Sequence, residues 1–288
     1  MTQLDLELQL CKQDFRFFLG YCFQHIYKQP FFFYKFHNDL INILLDLPPR
    51  QIINAPPRIG KTEIMKHFIA WQFLKDPSST VMYVSYDKAL VARKNSEIQD
   101  ILLWLAKHFS IPELYMRSKN DGKTEWTNNA NGMIIARGSG NNITGSGCST
   151  LLVIDDPNKP ADRTSPAMLS RRNAIFTSTI RNRINKPDTP IVVIQQRIAA
   201  QDLTGFLLGG GSNENWAHAN FPAINADGTA LCPERLPLSE IEAYKNDPFT
   251  LNAQFLQVPL DDIGNLFERH KLILSNDRPA LKSLRLVI

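Results

Sequence analysis

The chain has 288 residues, 43% of them hydrophobic and 21% charged, with a formal net charge of +4. That length holds one large domain or one and a half of average size, and the composition is that of a soluble globular protein; no apolar run approaches the roughly 20 residues that cross a bilayer as a helix, and no basic-then-apolar secretion signal opens the sequence. Cys11, Cys22, Cys148 and Cys232 are scattered without Cys-x-x-Cys or paired-histidine spacing, which argues against a disulfide framework or zinc site and predicts reduced thiols in a cytosolic protein.

Up to residue 46 the sequence is aromatic and helical in period, with Phe15, Phe18, Leu19, Cys22 and Ile26 at three- and four-residue steps. An aromatic cluster at 31–36 precedes a helix opened by His37-Asn38-Asp39-Leu40 and stopped before Pro48-Pro49. Then come a short strand, Gln51–Asn54, a tight loop and the helix Glu63–Lys75, whose Ile64, Met65, Phe68 and Ile69 form an apolar face. Thr80–Ser85 reads as a second strand, followed by a long helix carrying Val91, Ile98, Ile101, Leu102 and Leu105. Residues 110–132 are polar and loop-like, with Asp121-Gly122 and Asn131-Gly132 as turn signals. Met133–Ala136 is a short strand, and a glycine-rich connection runs from Gly138 to Gly147.

Leu151–Ile154 is an apolar strand that runs into Asp155-Asp156. Ser165-Pro166 starts a helix, a cap followed by proline at its first position, that reaches about Arg183. Thr189-Pro190 leads into the strand Ile191–Gln196. Beyond Arg197 the character changes to a flexible loop at Gly209–Asn213, then prolines and short helices from Phe221, and a last strand at Leu284–Ile288. Continuous apolar runs alternating with helices predict an α/β fold, a mostly parallel sheet with helices on both faces.

Ligands of such sheets gather at the carboxyl ends of the strands. Three features fall there. The loop Ala55-Pro56-Pro57-Arg58-Ile59-Gly60-Lys61-Thr62 joins a strand to a helix, so loop amides and a helix N-terminus face an anion. It matches the phosphate-loop pattern except that Ala55 stands at the first glycine. Asp155-Asp156 ends a strand, where a rigid carboxylate suits Mg²⁺ and a second acid suits a water. Gln195-Gln196-Arg197 ends another. Arg163, Arg171, Arg172, Arg181, Arg183 and Lys186 crowd one segment, either as a solvated helix face or as a surface for a polyanion.

Together, Ile52–Thr62, Val84-Ser85-Tyr86, Gly145-Ser146-Gly147, Leu152–Pro157, Val193–Arg197 and Asp202-Leu203-Thr204-Gly205 make the chain, over roughly residues 30 to 260, resemble the ATPase domain of phage large terminase subunits, the motors that package DNA into tailed-phage heads. The resemblance implies a P-loop NTPase fold of the ASCE, RecA-like kind, with ATP and Mg²⁺ as cofactors. It divides the chain into an N-terminal helical, adenine-side segment (1–46), an ATPase core (47–208), a lid or linker subdomain (209–283) and the first strand of a nuclease domain (284–288). It puts Pro57, Arg58, Ile59, Gly60, Lys61 and Thr62, with Gln196 and Arg197, around the nucleotide. Thr62 and Asp155 hold Mg²⁺, Lys61 meets the β- and γ-phosphates, and Arg58 stabilises γ-phosphate charge. Asp156 takes the catalytic position, usually glutamate in this family, one methylene longer. Gln196 and Arg197 couple hydrolysis to movement, and Tyr34–His37 flanks the adenine.

The resemblance further implies double-stranded DNA, a small terminase subunit and a portal protein as partners, a homo-oligomeric ring completed by a neighbour's arginine (Arg137 and Arg163 are candidates), and a place in the cytoplasm of a bacterial host. No nuclease activity is expected of this chain, since the sequence stops before an acid follows Leu284–Ile288. Three other readings compete. A two-lobed helicase needs a second motor lobe, for which too few residues follow Arg197. A small-molecule kinase fits poorly with Gln195-Gln196-Arg197. A non-hydrolysing remnant that binds DNA or a capsid partner draws on Ala55 and Asp156.

Overall fold

The computed structural model describes residues 2–117, 124–139 and 145–260. The turn signal Asp121-Gly122, the middle of the glycine-rich connection and the strand expected at Leu284–Ile288 lie outside these residues.

In chain order the elements are α1 (Gln3–Gln13), α2 (Phe15–Ile26), α3 (Lys35–Leu45), β1 (Arg50–Asn54), α4 (Lys61–Lys75), β2 (Thr80–Ser85), α5 (Lys88–His108), β3 (Glu125–Thr127), β4 (Met133–Gly138), β5 (Leu151–Asp155), α6 (Pro166–Ile175), β6 (Ile191–Gln195), α7 (Leu203–Leu208), β7 (Ala217–Asn220), α8 (Leu238–Glu242) and the one-turn α9 (Pro248–Thr250). The strands form one sheet in the order β3-β4-β2-β5-β6-β1-β7, parallel except for β3. The expected mostly parallel α/β architecture is therefore the observed one.

The sheet separates two apolar layers. Ile53, Val153, Val192 and Ile194 face one side with α4, α5 and the N-terminal helices. Ile52, Leu152, Ile154, Ile191 and Val193 face the other, against Phe176, Ile180, Leu203 and Leu207. Strands buried on both faces favour unbroken apolar runs; β5 and β6 have them, and β1 has the pair Ile52-Ile53 between buried polar residues. The helix that starts at Pro166 continues past α6 through one wide turn at Phe176–Ile180 and a tight turn to Arg183.

The aromatic N-terminus has a mechanical purpose. Asp14 ends α1 and caps α2, accepting from the Arg16 and Phe17 N–H groups. Phe15 then packs edge-on to Phe68, ring centroids 5.4 Å apart, and lies 5.3 Å from Trp71. Trp71 Nε1 donates to the Cys11 carbonyl at 2.8 Å. The result is that α4 is buried between the sheet and α1–α2 on nearly all sides, Lys66 and His67 included. The helix that follows the Ala55–Thr62 loop is thus held from both faces.

Two strands differ from the sequence reading. Glu125–Thr127 pairs antiparallel with β4 inside a segment read as loop. Ala217–Asn220 pairs parallel with β1, so the sheet takes its edge strand from beyond residue 208. At the opposite end of the sheet from the loop, Glu214 holds both Arg50 (2.7 Å) and Arg181 (2.8 Å), and Arg50 also donates to the carbonyls of Pro49, Pro187 and Thr189.

Candidate functional site

Strand order brings the chemistry together. β6 lies between β1 and β5, with Asn54 opposite Gln195 and Asp155 opposite Ile194. The three polar strand ends are thereby neighbours. They open on a cavity of about 300 Å³ lined by Pro57, Arg58, Gly60, Lys61, Thr62, Glu63, Asp156, Gln196 and Arg235.

The loop Ala55–Gly60 turns through left-handed residues at Arg58 (φ +66°) and Gly60 (φ +96°). Gly60 suits its position because a side chain there is strained. Ala55 has no positive φ and is fully buried, its N–H donating to the Gln195 carbonyl at 3.2 Å. Alanine therefore serves where the pattern has glycine. Ile59 faces the core, and its carbonyl accepts from His37 Nε2 at 2.8 Å. His37 Nδ1 in turn accepts from the Tyr34 N–H at 3.3 Å. Burial lowers the His37 pKa, which keeps the ring neutral and suited to one donor and one acceptor role. The segment 34–37 thus braces the loop.

Lys61 Nζ is buried and donates to the carbonyls of Ala55 (2.7 Å) and Pro56 (2.8 Å). Burial lowers its pKa, opposed by the charges of Asp156 and Asp155. Thr62 Oγ1 donates to Asp155 Oδ2 at 3.4 Å, and the Tyr83 hydroxyl donates to the same oxygen. Asp155 is 2% exposed, and among the described residues its Oδ1 has no hydrogen-bond partner. A buried carboxylate oxygen without a partner, beside a threonine hydroxyl, fits a hard divalent cation such as Mg²⁺.

Asp156 sits at φ +46°, a conformation non-glycine residues keep only where surroundings impose it. Its Oδ1 accepts from the Gln196 N–H at 3.1 Å. Burial first, then the Asp155 charge, raises its pKa to about 6, with Lys61 pulling the other way. A carboxyl group so tuned is suited to general-base work near neutral pH. The Gln196 side chain lines the cavity, and its Oε1 is buried without a partner among the described residues.

Not every expected residue is there. Arg197, read from the sequence as a nucleotide contact, does not line the cavity. Its Nε donates to both oxygens of Asp202 (3.0 and 2.9 Å), and its Nη2 to the carbonyls of Ala199 and Ala200. Asp202, fully buried, also accepts from the N–H groups of Ile198 and Gly205 and so caps α7. This ion pair fixes the β6–α7 turn. Asp202→Ala is expected to cost about 3–5 kcal/mol of stability, because it strands a buried guanidinium. Chemical denaturation measures this, and a loss under about 1 kcal/mol would show that the pair is dispensable.

Arg137 and Arg163 are likewise engaged, Arg137 with Glu125 and Arg163 over the Phe249 ring at 4.9 Å. Sequence reading misses two contributors. Arg235 enters the cavity from a distant turn, and Lys94 of α5 acts electrostatically on Lys61 and Asp156. Local patterns carry no signal for either, since each meets the site through tertiary packing.

No family model matches the sequence, and neither does any curated protein. Solved structures do match in fold. The ATPase domain of the Thermus phage P74-26 large terminase aligns with a TM-score of 0.54 and 11% identity, over 77% of this chain and 96% of that one. The HK97 bacteriophage large terminase aligns at 0.58 and 13% identity, over 91% of this chain and 56% of that one. The large terminase of a thermophilic bacteriophage aligns at 0.51 and 12%, over 87% and 60%. The fold is the one found in large terminase ATPase domains, and this chain spans little more than half of the two longer proteins.

Proposed function

We propose that this chain hydrolyses ATP and uses the energy to move double-stranded DNA into a viral procapsid, as the ATPase part of a packaging motor. The observation that carries the reading is the convergence of Lys61, Thr62, Asp156 and Gln196 on one cavity at the ends of β1, β5 and β6, with Asp155 buried directly behind Thr62, within a fold like that of large terminase ATPase domains. Lys61 binds the outer phosphates, and the Gly60–Thr62 helix start faces them with backbone N–H groups. Thr62 and Asp155 hold Mg²⁺, which when bound neutralises charge building on the phosphates during cleavage. Asp156 orients a water and takes its proton. Arg58, exposed at the loop tip, adds positive charge where the γ-phosphate becomes more negative. The Gln196 N–H holds Asp156, so β6 and the base move together.

The partners of this reading are DNA, a small terminase subunit, a portal protein and further copies of the chain in a ring, in the cytoplasm of a bacterial host. Among the described residues no helix is long and apolar enough to cross a membrane. The test is steady-state ATP turnover by the purified chain with Mg²⁺, with and without duplex DNA, across protein concentrations. Absence of turnover under all conditions refutes the motor and favours a chain that binds DNA or a capsid partner without hydrolysis.

The basic segment sorts into two groups. Arg172 is internal, its Nη1 on Ser139 Oγ (2.8 Å) and its Nε 3.8 Å from Asp162, and Arg181 is held by Glu214. Arg171 and Lys186 are exposed. Arg171→Ala with Lys186→Ala is therefore expected to weaken duplex binding and flatten the slope of log affinity against log salt by about two units. Fluorescence anisotropy over a salt series reads this, and an unchanged slope returns the segment to a solvated face.

A further inference from the structure

One wall of the cavity comes from none of the strand ends. Arg235 belongs to the run Cys232-Pro233-Glu234-Arg235-Leu236-Pro237. The N–H groups of Arg235 and Leu236 both donate to the Cys232 carbonyl, at 3.1 and 2.8 Å. Cys232 and Leu236 are buried and belong to the same apolar layer as α4. The turn is thus bolted down on either side of Arg235, with prolines restricting the backbone before and after it.

The side chain stands over the phosphate loop. A Cβ built on Gly60 lies 3.7 Å from Arg235 Nη1, and the guanidinium shares the cavity with Lys61, Thr62, Asp156 and Gln196. Among the described residues no carboxylate lies within ion-pair distance of it. That sets it apart from Arg137, Arg172, Arg181 and Arg197, each of which is paired with an acid. An exposed arginine on an anchored turn, facing a loop of backbone donors and a lysine and given no anion by the described residues, is placed to meet an anion from outside.

We propose that Arg235 is a phosphate-binding residue of this site, donating its forked guanidinium to the β- and γ-phosphates of the bound nucleotide. The proposal rests on the reading of the cavity as an ATP site. It also gives the segment after β7 a reason to respond to hydrolysis. Ala223 of that segment donates to the Phe255 carbonyl at 2.7 Å, and Gln257 Oε1 accepts from the Arg197 N–H at 3.0 Å. One end of the segment grips the phosphates while the other grips the residue after Gln196. Losing the γ-phosphate removes half of the first grip.

The experiment titrates Mg²⁺-ATPγS and Mg²⁺-ADP against the wild-type chain and the Arg235→Ala, Arg235→Lys and Lys61→Ala variants, with a thermal melt of each. Arg235→Ala is expected to weaken ATPγS binding about 10- to 100-fold, as loss of a charge-assisted pair does, and ADP binding much less. Arg235→Lys restores part of the difference, since it keeps the charge and loses the fork. Melting temperatures stay unchanged, the guanidinium having no internal acid to lose. Unchanged ATPγS affinity in Arg235→Ala overturns the proposal, as does an equal loss for both nucleotides. If the wild-type chain shows no Lys61-dependent binding of either nucleotide, the ATP-site reading itself falls and the proposal with it.

Discussion

Lys61→Ala is expected to lower ATP turnover about a thousandfold or more, the loss of roughly 4 kcal/mol of transition-state stabilisation. Among the described residues no other cation occupies the lysine's place. Its Nζ is the charge at the neck of the loop, buried and 2.7–2.8 Å from two loop carbonyls. Arg58 and Arg235 are exposed residues of the cavity wall, and Lys94 of α5 acts on the site only through its charge. The substitution also leaves the carbonyls of Ala55 and Pro56 without their donor, at a cost of about 1–2 kcal/mol. A modest fall in melting temperature should accompany the collapse in rate. Single-turnover hydrolysis on protein verified as folded separates the two effects. Turnover above about a tenth of the native rate, against an expected thousandfold loss, would remove Lys61 from the chemistry.

Asp155→Asn is expected to lower turnover by at least about a hundredfold while leaving stability equal or higher. Asparagine keeps the shape and can still accept from Tyr83. It removes a charge that is 2% exposed and has one oxygen without a partner among the described residues. Burying such a charge costs stability unless something compensates it. A structural carboxylate would behave in the opposite way, with stability falling and activity following it. Calorimetric Mg²⁺ titration in the presence of nucleotide adds an independent reading. Native turnover and native Mg²⁺ dependence in the variant would sink the metal assignment.

The parts of the fold legible in the sequence are those where burial dictates composition. β1, β5 and β6 lie between two apolar layers, so β5 and β6 are apolar runs and β1 carries the apolar pair Ile52-Ile53, and each ends in polar residues at the site's edge of the sheet. The loop, the acids and Gln196 are readable for that reason. β7 is not. Ala217-His218-Ala219-Asn220 has little strand propensity and sits at the sheet's edge, so only pairing with β1 makes it a strand. β3 is three residues long. The fate of the arginines is equally hidden. Charge density around 163–186 does not say that Arg172 meets Ser139 and Asp162 or that Arg181 meets Glu214, since these partners come from other parts of the chain. Arg197 looks like a site residue because it follows Gln196, yet Asp202 five residues on claims it. Arg235 escapes because its closeness to Gly60 is a product of folding alone.

Glu214 has a further consequence. By gripping Arg50 at the start of β1 and Arg181 ahead of β6, it rivets the amino-terminal edge of the sheet at the place where the basic segment ends. At the other end, the tips of β1, β5 and β6 are joined by uncharged hydrogen bonds: the Ala55 N–H and Asn54 Nδ2 donate to the Gln195 carbonyl, and the Asp156 N–H donates to the Ile194 carbonyl. The sheet is thus tied at both ends by different means, by charge at its base and by shared carbonyl acceptors and the buried Thr204 hydroxyl at its tip. A substitution of Glu214 would therefore unpair two arginines at the base and leave the hydrogen bonds of the tip in place.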